Sequence, residues 1–266
     1  MAAASRTDRR RPATPLARAV ARDLGVDLDA VSGSGRGGRI MRADVEALAA
    51  GPSPPPADAV PQLFLTVRVD AEALAGFRAE LNRQLTAGGD DLEVGLDDLV
   101  VKASAALLRD SPDLNSSFGG DRLIRHRRVH VGIAVAPEGG PVVPVIRDAD
   151  RKRLTQVARE ASDLIGRART GRLAASEVGG ATFTVSSLGG FGVRQFMAVL
   201  NPPEAAVLAV GAAEPEPVAT DDGGVEVHRV LRLTLSIDHR VVDGATGARF
   251  LGRLRDLLEQ PLRIVA

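Results

Sequence analysis

Residues 51–61 read Gly-Pro-Ser-Pro-Pro-Pro-Ala-Asp-Ala-Val-Pro. Proline has no amide hydrogen to give a ladder and holds φ near one value, so this stretch joins neither a helix interior nor a sheet. It reads as an extended, semi-rigid spacer. Whatever the 266 residues build is therefore split in two. The expected order is a flexible tail over 1–11, a small unit over 12–50, the linker over 51–62 and a large unit over 63–266. Only the last is long enough for a sizeable core.

Composition narrows the chemistry. The chain has no Cys, which excludes disulfides, thiolate metal sites and a cysteine nucleophile. With neither Trp nor Tyr present, the core must come from Leu, Val, Ile and Ala. No apolar run approaches the ~18–20 residues that span a bilayer, and the start of the chain has no apolar stretch of the secretory kind. The chain reads as soluble and cytoplasmic. Net charge is zero overall, yet residues 1–50 hold nine Arg against six acids, a balance of +3. A basic first segment without stacking aromatics points to an acidic protein partner rather than nucleic acid.

In the small unit Thr14-Pro15 opens a helix, with Leu16, Val20 and Leu24 as its apolar side and Gly25 as its stop. A second short helix spans about Arg42 to Ala49, with Met41, Val45 and Leu48 inward. The glycine-rich segment from Val31 to Ile40 lacks the preceding strand and long following helix of a nucleotide loop, and reads as a tight structural turn. The large unit mixes the two periodicities. Strands are expected at 63–69, 129–135, 142–146, 181–185, 205–210 and 230–237. Helices are expected after Asp70, which caps the first of them, and near 96–107, 154–168 and 245–258. This pattern describes a mixed-sheet α/β domain preceded by a small all-α one.

Four histidines are candidates for chemistry. His126 and His130 sit in a strand-like stretch, where that spacing puts them about 13 Å apart, so no metal site is expected. His228 falls in a polar hairpin region. His239 differs: an apolar strand delivers it to a turn within Asp238-His-Arg-Val-Val-Asp-Gly244. A histidine there is held by the scaffold and can exchange protons near neutral pH. Asp243 could orient it, although four residues on, in a turn, it also suits a cap on the last helix or a pair with an Arg. Gly244 marks where that helix starts.

The string from Asp238 to Gly244 matches the His-x-x-x-Asp-Gly motif of the dihydrolipoamide acyltransferases of 2-oxo acid dehydrogenase complexes, and residues 63–266 resemble that family throughout. The resemblance runs through Leu99–Ala103, Gly132–Val135, Pro144–Arg151, Thr182–Gly189 and Asn201–Pro203. The small unit resembles the same family's peripheral subunit-binding domain through Thr14–Arg22, Gly25–Leu28, Gly33–Ile40 and Ala43–Val45. The resemblance implies a chloramphenicol acetyltransferase-like fold and transfer of an acyl group, most simply acetyl, between dihydrolipoamide and CoA. It implies His239 as general base and Ser186 as the oxyanion donor, with Ser187 on the opposite strand face. It also implies sites shared across a trimer, trimers that build a cage, and Arg18, Arg22 and Arg39 binding dihydrolipoamide dehydrogenase or the decarboxylase.

Two features depart from the family. Neither Lys102 nor Lys152, the only lysines, sits in a lipoylation setting, so the lipoyl group is expected on another chain or on a domain not in this sequence. The basic helix that usually precedes the first catalytic strand is replaced by the proline-rich stretch. These departures keep a partner-binding scaffold and a free-standing CoA acyltransferase as alternatives. At the end of the chain, Leu262, Ile264 and Val265 are apolar and ask for a partner surface.

Overall fold

The computed structural model describes residues 12–49, 60–120, 122–137, 140–220 and 222–265. They fall into two compact units that divide between Ala59 and Val60. The expected tail over 1–11 and all but the end of the expected linker lie outside the described residues.

In the small unit, helix α1 (Pro15–Asp23) starts where expected: the Thr14 hydroxyl accepts the Ala17 amide at 3.1 Å. Helix α2 spans Arg42–Ala49, and Asp44 accepts the amides of Ser34 and Met41 to close the intervening loop. That loop is structural. A Cβ on Gly33 would lie 2.3 Å from the Gly38 carbonyl oxygen, a contact only glycine tolerates. The core is Ala17, Ala21, Val31, Ile40 and Val45. Of the residues expected inward, Val45 and Val20 pack in this core, whereas Leu16, Leu24, Met41 and Leu48 are exposed. In so small a core the helix turns its alanines inward, where they let the packed segments approach closely and leave the bulkier leucines outside.

The large unit opens with strand β1 (Gln62–Asp70) and helices α3 (Glu72–Ala87) and α4 (Leu96–Leu108). A hairpin of β2 (Ser116–Phe118) and β3 (Leu123–Arg125) follows, then β4 (Val131–Ala134), β5 (Val145–Ile146) and helix α5 (Leu154–Arg169). Strands β6 (Phe183–Ser187), β7 (Ala206–Val210), β8 (Glu214–Ala219) and β9 (Val225–Asp238) precede helices α6 (Gly244–Glu259) and α7 (Leu262–Val265). Seven strands form one sheet in the order β1-β9-β7-β6-β4-β5, with β8 paired to β9. The β4–β6 and β6–β7 pairs are parallel and the others antiparallel. This is the mixed-sheet α/β class expected.

The two sheet faces differ. Leu65, Val185, Leu208, Leu233 and Leu235 point to the helices and join the main core. The opposite face carries Thr66, Thr184, Ser186, Ala209, Thr234 and Ser236, with Val207 and Ala209 covered in part by Ala198 and Leu200. Three expectations shift. Asp70 does not stand at the cap position itself, which is Ala71, but its carboxylate accepts the Glu72 amide at 3.1 Å. Strand β4 begins at Val131, so His126 and His130 lie in the bend before it rather than in a strand. Of the apolar residues at the end of the chain, Ile264 is buried in its own domain, while Leu262 and Val265 remain exposed.

Candidate active site

Strand β9 ends at Asp238, whose carboxylate is 2% exposed and holds Arg240 through both guanidinium and amide contacts. The Arg240 guanidinium also lies 4.3 Å from the centre of the Phe118 ring. This anchor fixes the turn that presents His239, whose imidazole is exposed and whose amide donates to the Pro61 carbonyl at 2.8 Å. His239 Nδ1 lies 3.3 Å from the carbonyl oxygen of Val242. A carbonyl only accepts, so the contact assigns the proton to Nδ1 and leaves Nε2 with its lone pair. The arrangement suits a base that takes a proton at Nε2.

Asp243 bonds away from this imidazole, toward the start of the following helix. Its two oxygens accept the amide of Thr246 at 2.7 Å and the hydroxyl of Thr246 at 2.9 Å. These bonds hold its pKa below the usual carboxylate range, the Thr246 amide contributing most. Its place is that of the N-cap of α6. Gly244 is the first residue of that helix, and a Cβ there would meet Leu63 at 3.1 Å.

Ser186 and Ser187 end strand β6 and point to opposite faces. Ser186 pairs across the sheet with Ala134 and Ala209, and Ala209 in turn with Thr234. His239 lies five residues beyond Thr234 and two strands from Ser186. At ~3.3 Å per residue and ~4.8 Å per strand, Ser186 and His239 are roughly 19 Å apart in one chain. A single chain does not bring them together.

Ser187 faces the helices and opens onto a cavity of about 580 Å³ lined by Arg78, Leu96, Asp97, Gly211 and Arg229. Arg229 is fixed to Glu72 through its amide at 2.6 Å and its guanidinium at 3.3 Å. Asp97 keeps part of its surface in water, yet the cavity walls desolvate it and raise its pKa against an opposing hydrogen bond from Ser187. Its neighbour Asp98 accepts the Gly95 amide at 2.7 Å, and desolvation pushes it up to about 6. Sequence reasoning missed Arg78, Asp97 and Arg229, because three distant segments meet here and no short motif marks them.

The remaining candidates are placed as follows. Arg18 and Arg22 sit one turn apart on α1, and Arg39 ends the glycine-rich loop. Lys102 is inside α4, where its ammonium donates to the Asp150 carbonyl at 2.9 Å, and Lys152 precedes α5 and pairs with Glu160. Neither lies at a hairpin tip. Among the described residues there is no group of three or more metal-ligating side chains, and no helix is long and apolar enough to cross a membrane.

Comparison with known proteins identifies the family. Residues 56–266 match the 2-oxoacid dehydrogenases acyltransferase catalytic domain, and residues 11–46 match the E3-binding domain. The chain is 36% identical, over 96% of its length and 66% of the relative's, to the dihydrolipoyllysine-residue acetyltransferase component of the Zymomonas mobilis pyruvate dehydrogenase complex. The counterpart in Rhizobium meliloti is 33% identical over 94% of this chain and 67% of its own. The chain thus spans about two thirds of these relatives, and about half of the Arabidopsis thaliana one. Among solved structures it resembles Azotobacter vinelandii dihydrolipoamide acetyltransferase, with a TM-score of 0.73 and 41% identity over 78% of this chain and 85% of that one. That structure was determined to define the catalytic role of one serine, one histidine and one asparagine, the last two four positions apart as His239 and Asp243 are here. The catalytic core from Thermoplasma acidophilum is similar at a TM-score of 0.66 and 28% identity, over 76% of this chain and 88% of that one. The chain belongs to the 2-oxoacid dehydrogenase acyltransferase family.

Proposed function

We propose that the chain transfers an acetyl group between dihydrolipoamide and CoA as the core component of a 2-oxo acid dehydrogenase complex. The observation that carries this reading is the imidazole of His239, an exposed residue whose Nδ1 is held on the Val242 carbonyl so that Nε2 keeps its lone pair. A thiol of pKa ~8.5 is mostly protonated at neutral pH, and Nε2 is placed to take its proton. The thiolate attacks the thioester carbonyl, and the collapsing intermediate expels the second thiolate, which takes the proton back. Ser186 is the donor to the oxyanion formed between these steps.

The separation of Ser186 from His239 within one chain supports a site completed by the His239 of a second copy, as in a trimer. The cavity beside Ser187 suits CoA: it is open, it lies at the end of β6, and Arg78 and Arg229 offer positive charge for phosphates. The acetyl assignment rests on the names of the relatives at 33–36% identity. Residues 12–49 are assigned to hold dihydrolipoamide dehydrogenase, on the strength of the E3-binding match and the arginines Arg18, Arg22 and Arg39 that this unit presents. The lipoyl group arrives as substrate from a chain or segment other than the residues described.

Acetyl transfer from acetyl-CoA to free dihydrolipoamide tests the proposal. His239→Ala is expected to lower the rate by ~10²–10⁴ and Ser186→Ala by ~10²–10³. Parent-like turnover by the His239→Ala chain overturns the assignment.

A further inference from the structure

A second cavity, of about 500 Å³, opens beneath the loop that carries Pro202 and Pro203, away from the cavity beside Ser187. Its polar lining includes Ser117, His126, His130 and Glu204, and its apolar wall includes Val142 and Val143. The backbone around it is tightly fixed. Phe118 donates to the Pro203 carbonyl and Ala205 to the Ser116 carbonyl, each at 3.0 Å. Gly132 lies against the same wall: a Cβ there would come within 2.6 Å of Val143 and 2.8 Å of the Thr184 hydroxyl.

Ser117 is only 5% exposed, and its hydroxyl lies 2.7 Å from His126 Nε2. This is the distance at which a base holds a nucleophile. Burial lowers the pKa of His126, which keeps the imidazole neutral and able to accept a proton at pH 7. His130 supplies the complementary group. Its Nδ1 accepts the Asp148 amide at 3.0 Å, so in the neutral ring Nε2 carries the hydrogen and is a donor. Glu204 is committed elsewhere, accepting from the Thr184 hydroxyl at 2.6 Å and the Asn201 amide at 2.8 Å. The constellation is therefore a serine–histidine pair with a separate imidazole donor, rather than a triad.

We propose that Ser117 and His126 form a second nucleophilic site, distinct from the acyl-transfer site, that accepts the acyl group of small esters or thioesters. Ser117 Oγ attacks the acyl carbon while its proton passes to His126 Nε2, and His130 donates to the developing oxyanion. The carbon–sulfur or carbon–oxygen bond then breaks, and the leaving group takes the proton from His126. The acyl group stays as an ester on Ser117 until water, deprotonated by His126, releases it as the free acid. Val142 and Val143 give the acyl chain an apolar wall, which favours short aliphatic acids. The proposal does not depend on the function assigned to His239 and Ser186.

A fluorophosphonate probe applied to the full chain, with the labelled peptide located by mass spectrometry, tests it. The expected adduct is on Ser117, absent from Ser117→Ala and formed at least tenfold more slowly by His126→Ala. His126→Gln guards against a folding defect, since Gln keeps a hydrogen-bonding side chain against Ser117 but takes up no proton; it too should label at least tenfold more slowly. The proposal is overturned by no adduct, by an adduct on Ser186 or Ser187 alone, or by a His126→Gln chain that labels as fast as the parent.

Discussion

Both carboxylate oxygens of Asp243 are taken by Thr246, one by its amide and one by its hydroxyl. This separates two roles that the spacing from His239 leaves mixed. A cap needs only an acceptor, which Asn provides as well as Asp. Asp243→Asn is therefore expected to keep both the melting temperature and acetyl transfer near those of the parent chain. Asp243→Ala removes the cap and should lower Tm by ~2–4 °C. A large loss of turnover in Asp243→Asn, with Tm unchanged, would assign Asp243 a charge-dependent part in the chemistry instead.

The roughly 19 Å between Ser186 and His239 in one chain gives a second expectation. If each site draws its histidine from one copy and its serine from another, two inactive variants complement each other. Refolding His239→Ala together with Ser186→Ala chains should restore a clear fraction of acetyl transfer, because some mixed interfaces contain both native groups. Light scattering on the mixture should report a particle of three chains or a multiple of three. A mixture as inactive as its components, in particles of that size, would count against the shared site.

Asp98 carries a cost that the fold tolerates. Desolvation raises its pKa to about 6 from the ordinary 3.8, and neighbouring Asp97 adds repulsion. The folded state then binds a proton more tightly than the unfolded chain, so this group's effect on stability worsens as pH rises from about 4 to 6 and stays unfavourable above. Asp98→Asn removes the charge and keeps an oxygen for the Gly95 amide. Denaturant unfolding should find it more stable than the parent at pH 7, by up to about 3 kcal/mol, with the difference closing below pH 4. Equal stabilities at pH 7 would show that solvent relieves the buried charge.

His228 behaves with the opposite sign. Its Nδ1 pairs with Asp70, and its Nε2 lies 3.1 Å from Glu226; these bonds, Asp70 first, raise its pKa. The stabilisation is present below the ordinary histidine value of ~6.5 and is lost as pH climbs through the raised one. Asp70 in turn accepts the Glu72 amide at the start of α3, and Glu72 holds Arg229 at the edge of the cavity beside Ser187. The parent chain should therefore lose stability relative to His228→Gln as pH rises above the ordinary histidine value of ~6.5. Parallel pH–stability curves for the two chains would dismiss the coupling.

The long elements and the His239 turn were legible because their side chains repeat with a clear period or match a motif. Strand β8 was not. Its Pro215 and Pro217 argue against a strand, yet both occupy exposed positions on an edge that pairs only with β9, where a missing amide costs nothing. The inward face of α1 was misread because Ala17 and Ala21 fill a core too small for Leu16 and Leu24. The opposite facing of Ser186 and Ser187 follows from strand period alone. The cavity beside Ser187 could not be read that way, since it depends on β6, α3, α4 and β9 meeting, and only the sheet order brings them together.

The small unit offers the last expectation. Arg18 and Arg22 lie one turn apart on α1, and Arg39 ends the loop whose amides Asp44 ties down. An acidic surface of dihydrolipoamide dehydrogenase meeting these three would be drawn by long-range attraction, which salt screens with a Debye length near 10 Å at 0.1 M. Titration calorimetry with the full chain should show binding that weakens several-fold as salt rises from 50 to 300 mM, a concentration span chosen around that screening length. Replacing Arg22 or Arg39 by Ala should weaken binding roughly tenfold and flatten the salt dependence, as expected when a charged contact at an interface is cut. Binding that is unchanged by salt and by both substitutions would place the partner on a different surface of residues 12–49.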